Sequence, residues 1–490
     1  MNKFRCVTGI VSTLWLMLVG LSLSGQLCAA PAALSSTPSK PSLQSLSEPL
    51  VPSLRRPLAI KGYKTLSGTK ILFIQTTGLS MFDVHVSFAA GSAHTAHKPG
   101  LAALTFSLLN EGVDGKDRDV IQETFDNLGA KLGMSISQDR ASFSLRSLSD
   151  ETRRAPALEL FAQVLGKPLL SENALTGVKS QLLHFLDLQD QSYELQANQA
   201  LVGLLLPGHG YAQSIYGTRT GLASITQTQA QDFHREAYGA GNALITLVGD
   251  LSEEEAQRIG AQISNALPQS PAIAPLKKPV SSTTSQSLLR VERSSAQAYL
   301  RLAQPSVLRN SPDYVALEIA SQIFTTRLMN DLRETRGLTY DVQASISALQ
   351  AQGTLTIDLQ TRPELADATV ARIKEMFGDF LAYGPTQEEL DNTKTRLTGS
   401  APLNSASNAQ ILGQLHSISA HNLPLELDSS TETALELNLE SVKTALNQHF
   451  DAQGWSAVIL GPKTNQEPLP SPIESAANAM CRASGDFVAS

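Results

Sequence analysis

The sequence predicts an α+β protein of two tandem homologous domains, each a mostly antiparallel sheet with helices packed on one face, the two facing each other across a cleft. Three observations carry that prediction. The 490 residues exceed what one hydrophobic core holds, since cores stop growing at about 250–300 residues. A Pro-rich stretch from Ala266 to Thr284 divides the globular part into nearly equal pieces. The order strand, helix, helix then recurs in both pieces at nearly constant spacing. Phe143 is matched by Leu355, and Leu175 and Lys179 by Leu390 and Lys394, with the phase held to within a few positions.

Each element follows from its pattern. In the first half, the alternation around Phe143 and Leu145 in SFSLRSLS reads as a half-buried strand. Leu158, Phe161 and Leu165, with Leu160 and Val164, mark an amphipathic helix that Gly166 and Pro168 stop, and SENALTGVKSQLLHFL supplies the next. ALITLVGDLSEEEA is a strand opening into a helix. In the second half, Ser311 and Pro312 are placed to start a helix through Leu317, Ala320, Phe324, Leu328 and Leu332, with Gly337 ending it and Tyr340 beginning a strand. TLTIDLQ is a further strand. Val370, Ile373, Phe377 and Leu381 mark a helix stopped by Gly384-Pro385, and Thr386 with Glu389 forms a capping box for the one after.

The ends of the chain read differently. Lys3 and Arg5 precede the apolar run Val7 to Leu23 and small residues up to Ala30, the pattern of a cleaved export signal. The domain division is therefore a signal at 1–30, a Ser/Pro-rich flexible leader at 31–57, an N-terminal domain at 58–265, a linker at 266–284, a C-terminal domain at 285–463 and a tail at 464–490. Export across the inner membrane to the periplasm is expected, with no stable membrane span after cleavage. Cleavage would remove Cys6 and Cys28 and leave Cys481 alone.

Composition narrows the function. With 42% hydrophobic and 17% charged residues the chain is an ordinary globular protein. Its 38 Lys and Arg against 45 Asp and Glu, with no basic run, argue against a nucleic-acid partner. The three Cys show no metal-ligand spacing. Phosphate-binding, dinucleotide and serine-hydrolase signatures are absent, as is H-E-x-x-H. His94 and His97 read as solvated loop residues, and His184 with Asp187 as a surface pair.

VHVSFAAGSAHTAHKPGLAALTFSLLNEGV nevertheless resembles the opening of the pitrilysin/insulinase metallopeptidase family, which includes the mitochondrial processing peptidases. In active members the helix after G-L-A carries H-x-x-E-H, two zinc-binding His and a Glu that activates the metal-bound water. Those positions fall here at Ala103, Phe106 and Ser107, and no carboxylate stands near Leu183-His184, where the family's third ligand is expected. RETRGLTYDVQ resembles the family's R-x-x-x-Y element, matched by Arg336 and Tyr340. The resemblance implies that these two contact a substrate peptide, where a guanidinium and a phenol can donate to its carbonyls. It also implies a metallopeptidase-like fold without catalytic residues of its own. The chain would hold no cofactor and would pair with a homologous H-x-x-E-H-bearing subunit in which the zinc is expected. Substrate peptides would add as a strand to a sheet edge, with VHVSFAAGS the candidate on this chain. A structural or peptide-binding descendant with no role in hydrolysis is the alternative.

Overall fold

The structure, a computed structural model, describes residues 58–279 and 287–472. The export signal, the leader and residues 473–490 of the tail lie outside the described residues. Among the described residues no helix is long and apolar enough to cross a membrane.

The first half runs β1 (Lys61–Lys64), β2 (Lys70–Gln75), β3 (Met81–Phe88), α1 (Leu101–Leu108), a two-strand ribbon of β4 (Gly112–Val113) and β5 (Lys116–Asp117), and α2 (Arg118–Asn127). It continues through β6 (Lys131–Ile136), β7 (Ala141–Leu148), α3 (Glu151–Gly166), α4 (Glu172–Gln191), α5 (Tyr193–Leu205), α6 (Arg219–Ser224), α7 (Gln227–Ala237), β8 (Ala243–Gly249) and α8 (Glu253–Ala266). Six strands form one sheet in the order β1-β2-β8-β3-β7-β6, antiparallel except for β2 beside β8. Alternation in β3 decides its faces: Phe82, Val84, Val86 and Phe88 are fully buried in the core under α1, α3 and α7, so Asp83, His85 and Ser87 point to the opposite face.

The second half runs β9 (Ser287–Glu292), β10 (Ala298–Ser306), α9 (Tyr314–Leu328), β11 (Val342–Ala348), β12 (Gly353–Thr361), α10 (Ala366–Tyr383), α11 (Gln387–Ser400), α12 (Asn408–His421), α13 (Ser429–Glu436), α14 (Leu439–His449) and β13 (Ser456–Gly461). Its sheet has the order β11-β12-β10-β13-β9, antiparallel except for β13 beside β9. Strand for strand this repeats β6-β7-β3-β8-β2, including the place of the parallel pair. The duplication extends to side chains. Lys179 donates to the Ile225 carbonyl (2.7 Å), and its repeat equivalent Lys394 donates to those of Leu435 (2.8 Å) and Leu437 (2.6 Å).

The halves exchange one helix each. Ala197, Leu201 and Leu205 of α5 pack with Ala303, Val458 and Leu460 on the second sheet, while Ile411, Leu412, Leu415 and Ile418 of α12 pack with Leu72, Ile74 and Val248 on the first. The spacing that relates Lys179 to Lys394 also relates the start of α5 at Tyr193 to that of α12 at Asn408, so the two helices are themselves repeat equivalents. Each sheet therefore carries its own helices on one face and a single helix of the other half on the face between the halves.

Three local expectations change, and a fourth is extended. Ser311-Pro312 do not cap α9: the helix begins at Tyr314, and the Asp313 carboxylate at its N-cap is engaged by His449 Nε2 (2.7 Å) instead of the helix amides. β11 starts at Val342, because Thr339 Oγ1 bonds both the N–H and the carbonyl of Asp341 and turns the chain there. β3, expected as a peptide-docking edge, is flanked by β7 and β8 with its main-chain pairing complete on both sides. The unpaired edge on that side of the sheet belongs to β6. Residues 464–472, read from composition as tail, are tied to the second half: Glu467 N–H donates to the Glu364 carbonyl (2.7 Å), Gln466 Oε1 accepts from Asp367 N–H (3.0 Å), and Leu469 packs on the core.

Candidate functional site between the halves

One face of each sheet covers its own core, and the face turned to the other half carries polar residues beside the apolar strip under the crossing helix. Asp83 on β3 and Arg146 on β7 are directly opposed and bonded at 2.7 Å. At the equivalent pair of the second sheet, Arg301 on β10 opposes Asp358 on β12, with Nε 3.0 Å from Oδ1. The same cross-strand pair is thus kept with its charges exchanged. Burial raises the Asp358 pKa despite the neighbouring guanidinium. A groove opens beside each crossing helix. The one on the second sheet, about 460 Å³, lies between Glu194 of α5 and Gln343 of the edge strand β11 and includes Arg301, Asp358 and Tyr340. Its counterpart beside α12, about 330 Å³, is lined by Lys131, Asp83, His85, Arg146, Leu412 and His416.

The positions matched to the zinc motif lie on α1. Ala103 is 1% exposed, and the Phe106 ring packs 5.3 Å from Phe143 within an aromatic group that also holds Phe88 and Tyr238. Ser107 follows at the edge of this core. On α4, Leu182 is buried and Leu183 packs against the same core, while His184 is exposed. A methyl group, a phenyl ring and one hydroxyl supply neither the imidazoles nor the carboxylates that zinc requires, so these residues do not fit the metal. Asp187 pairs with Arg219 (2.7 Å) rather than with His184.

Arg336 and Tyr340 are close in sequence but differently disposed. The helix α9 continues as a π-helical turn over Met329–Thr335 and ends at Gly337, whose φ of +60° is the left-handed geometry that glycine adopts freely. Arg336, just before that end, is 17% exposed: Nε meets Asp331 Oδ2 at 3.2 Å and Nη1 donates to the Pro470 carbonyl at 3.0 Å. Asp331 also binds Arg372 at 2.9 Å; burial works against its carboxylate, yet Arg372 and Arg336 together hold its pKa below the usual value. Tyr340 is 85% exposed, with the Arg333 guanidinium 5.1 Å from its ring centre, and lines the larger groove. The structure places Tyr340 on that groove and Arg336 under the chain's own C-terminal segment.

A second polar cluster, which sequence reasoning missed, lies where β3, the β6–β7 turn and α12 meet. His85 and His416 stack edge to face with ring centres 4.4 Å apart. Burial, reinforced by the nearby Arg140 charge, lowers the pKa of His85 to about 4, and burial with His85 and Arg140 lowers that of His416 to about 3. Both rings are neutral at pH 7. Arg140 donates from Nε to Ser87 Oγ (3.0 Å) and from Nη2 to the Ser87 carbonyl (2.9 Å). Asp139 accepts from the Tyr211 hydroxyl (2.5 Å) and from Gln350 N–H (2.9 Å), tying the first half to the second. The turn packs directly against Gly91, where an added Cβ would stand 2.4 Å from the Gln138 carbonyl oxygen.

An α+β repeat with an exchanged helix pair, and an aromatic core at the positions matched to the zinc motif, agree with a metallopeptidase-like fold. Two family descriptions match the chain: "Insulinase (Peptidase family M16)" over residues 70–219 and "Peptidase M16 inactive domain" over residues 224–397. A crystal structure of a peptidase M16 inactive domain from Pseudomonas fluorescens is 41% identical, with a TM-score of 0.81 over 84% of this chain and 100% of that one. The chain belongs to peptidase family M16. It is also similar to the "Non-peptidase homolog YmxG" of Helicobacter pylori, at 22% identity over 80% of this chain and 92% of that protein. The periplasmic protease PqqL of Escherichia coli shares the fold, at 15% identity with a TM-score of 0.70 over 83% of this chain and 46% of that protein.

Proposed function

We propose that the chain is the non-catalytic subunit of a periplasmic zinc metallopeptidase heterodimer, lending peptide-binding surface to an H-x-x-E-H-bearing homologue that holds the zinc. The observation that carries this reading is the contrast between its two surfaces. Where a general base would stand, Phe106 is part of the core, whereas Tyr340 remains fully presented on a polar groove large enough for a few peptide residues. Tyr340 would donate to a substrate carbonyl, and the unpaired edge of β11 beside it can add a peptide strand. Arg336 would join it once the Pro470 carbonyl is displaced.

The alternative reading, a peptide-binding or assembly protein with no part in hydrolysis, is favoured by one observation: Arg336 is already engaged by Asp331 and Pro470. Co-expression with the zinc-bearing homologue separates the two. Peptide cleavage by the mixture is expected to exceed that of the partner alone and to fall when Tyr340→Phe is combined with Arg336→Ala. A partner equally active without this chain, or a mixture unaffected by the double substitution, supports the assembly reading instead.

A further inference from the structure

The junction cluster contains a cation that no carboxylate contacts directly. Among the described residues no carboxylate forms an ion pair with the Arg140 guanidinium, and its Nη1 has no hydrogen-bond partner. Removing a cation from water without compensation is costly. Burial accordingly lowers the Arg140 pKa to about 10. The Asp139 carboxylate lines the same cavity and attracts the guanidinium across space, but its two oxygens are engaged by Tyr211 and Gln350 and make no bond to Arg140.

Arg140 opens on a cavity of about 310 Å³ that also receives Ser135, Ser142 and His421. None of these three side chains has a hydrogen-bond partner among the described residues, and His85 Nδ1, on the same wall, is buried without one. Hydroxyls with no protein partner, that of Ser135 open to solvent, stand around a guanidinium that no carboxylate contacts, and together they can receive an anion. The cavity shares His85 and His416 with the groove that follows β6 back toward Lys131, so the anion has room to be the end of an extended chain.

We propose that this junction binds the C-terminal carboxylate of a peptide, with Arg140 as the charged donor, Ser135 and Ser142 as its neutral partners, and the β6 groove holding the residues before it. The planar guanidinium suits a carboxylate, which accepts two parallel N–H bonds where a water accepts one. The length of the ligand rests on the peptide-binding reading above; the anion site does not.

The test is fluorescence polarisation on the exported chain with two short N-terminally labelled peptides of one sequence, ending in a free carboxylate or in an amide, and with inorganic phosphate as competitor. The carboxylate peptide is expected to bind at least about tenfold more tightly, the ratio a charge-assisted bond supplies. Arg140→Gln is expected to abolish that preference and Arg235→Gln, at an exposed ion pair with Asp232, to leave it intact. Equal affinity of the unaltered chain for acid and amide overturns the proposal, as does phosphate binding with no preference between the peptides. Because that comparison needs no variant, a folding defect in Arg140→Gln cannot obscure it. Discrimination that persists while Tyr340→Phe with Arg336→Ala has no effect on the partner's cleavage marks failure of the subunit reading rather than of this site.

Discussion

Acidification from pH 7 to pH 5 is expected to weaken the junction between the halves through His85 and His416. Unfolded, both imidazoles titrate near 6.5; folded, burial holds them at about 4 and about 3. In the window between, the unfolded chain binds protons that the folded chain does not, so stability rises with pH and is lost as pH falls from about 6.5 toward 4. One unit is worth about 1.4 kcal/mol per group, which puts the loss by pH 5 at about 2 kcal/mol for each ring. Both rings keep some contact with solvent, so about 2 kcal/mol for the pair is the working figure. The other titratable groups around the pair, Arg140, Asp139, Asp83, Lys131, Arg146 and His421, are common to the two proteins compared. Urea unfolding at the two pH values measures the slope for the natural chain and for His85→Phe with His416→Asn, substitutions that remove the orphaned His85 Nδ1 and keep a side-chain partner for Ser87 Oγ, which lies 3.4 Å from His416 Nδ1. The double variant is expected to lose about 2 kcal/mol less on acidification, the linkage contribution of the pair it lacks. Equal losses in the two proteins would refute the assignment of the slope to this pair.

Three further outcomes are expected. Phe106→Ala is expected to destabilise the chain by about 3–5 kcal/mol, since it hollows the aromatic core of the first half, and calorimetry of the purified variant checks it. Installing the family motif as Ala103→His, Phe106→Glu and Ser107→His is expected to lower Tm rather than to create a zinc enzyme, because the new carboxylate would be buried without the third ligand; zinc content and peptide cleavage are the readouts. Ending the chain at Lys463 removes Leu469 from the core and the Pro470 carbonyl from Arg336. The truncated protein is expected to lose about 1–2 kcal/mol of stability in urea unfolding and, in the presence of the partner, to bind peptide more tightly as Arg336 becomes free.

The repeat was legible because hydrophobic periodicity marks which face of an element is buried. Phe143 and Leu355, or Leu175 and Leu390, announce equivalent elements at one spacing. Periodicity does not say against what a face is buried. The apolar stripe of α5 reads the same whether Leu201 and Leu205 meet their own sheet or the other, and the exchange with α12 became visible only in three dimensions. That Ala103, Phe106 and Ser107 offer no zinc-binding group was legible, since side-chain chemistry alone decides it. The position of Arg336 was not, because its partner Pro470 lies far along the chain in a segment whose composition suggests no attachment. The junction cluster was hidden for the same reason: His85 and His416 belong to opposite halves of the sequence, and each reads there as an ordinary lone histidine. The one signal was the run Asp83, His85, Ser87, polar at every second position of a strand whose other face is wholly apolar.

The reciprocal crossing of α5 and α12 bears on how the molecule is joined. Each sheet is completed by a helix from the other half, so the backbone linking α8 to β9 is not what keeps the halves together. Two separate chains divided between α8 and β9, co-expressed, should migrate as one particle and separate only on denaturation. Either fragment expressed alone, by contrast, would expose the apolar strip its missing helix covers and should aggregate. An ancestor of one repeat would have met the same need by pairing with a copy of itself, and the charge-exchanged pairs Asp83–Arg146 and Arg301–Asp358 show how far the two copies have since diverged while keeping that handshake.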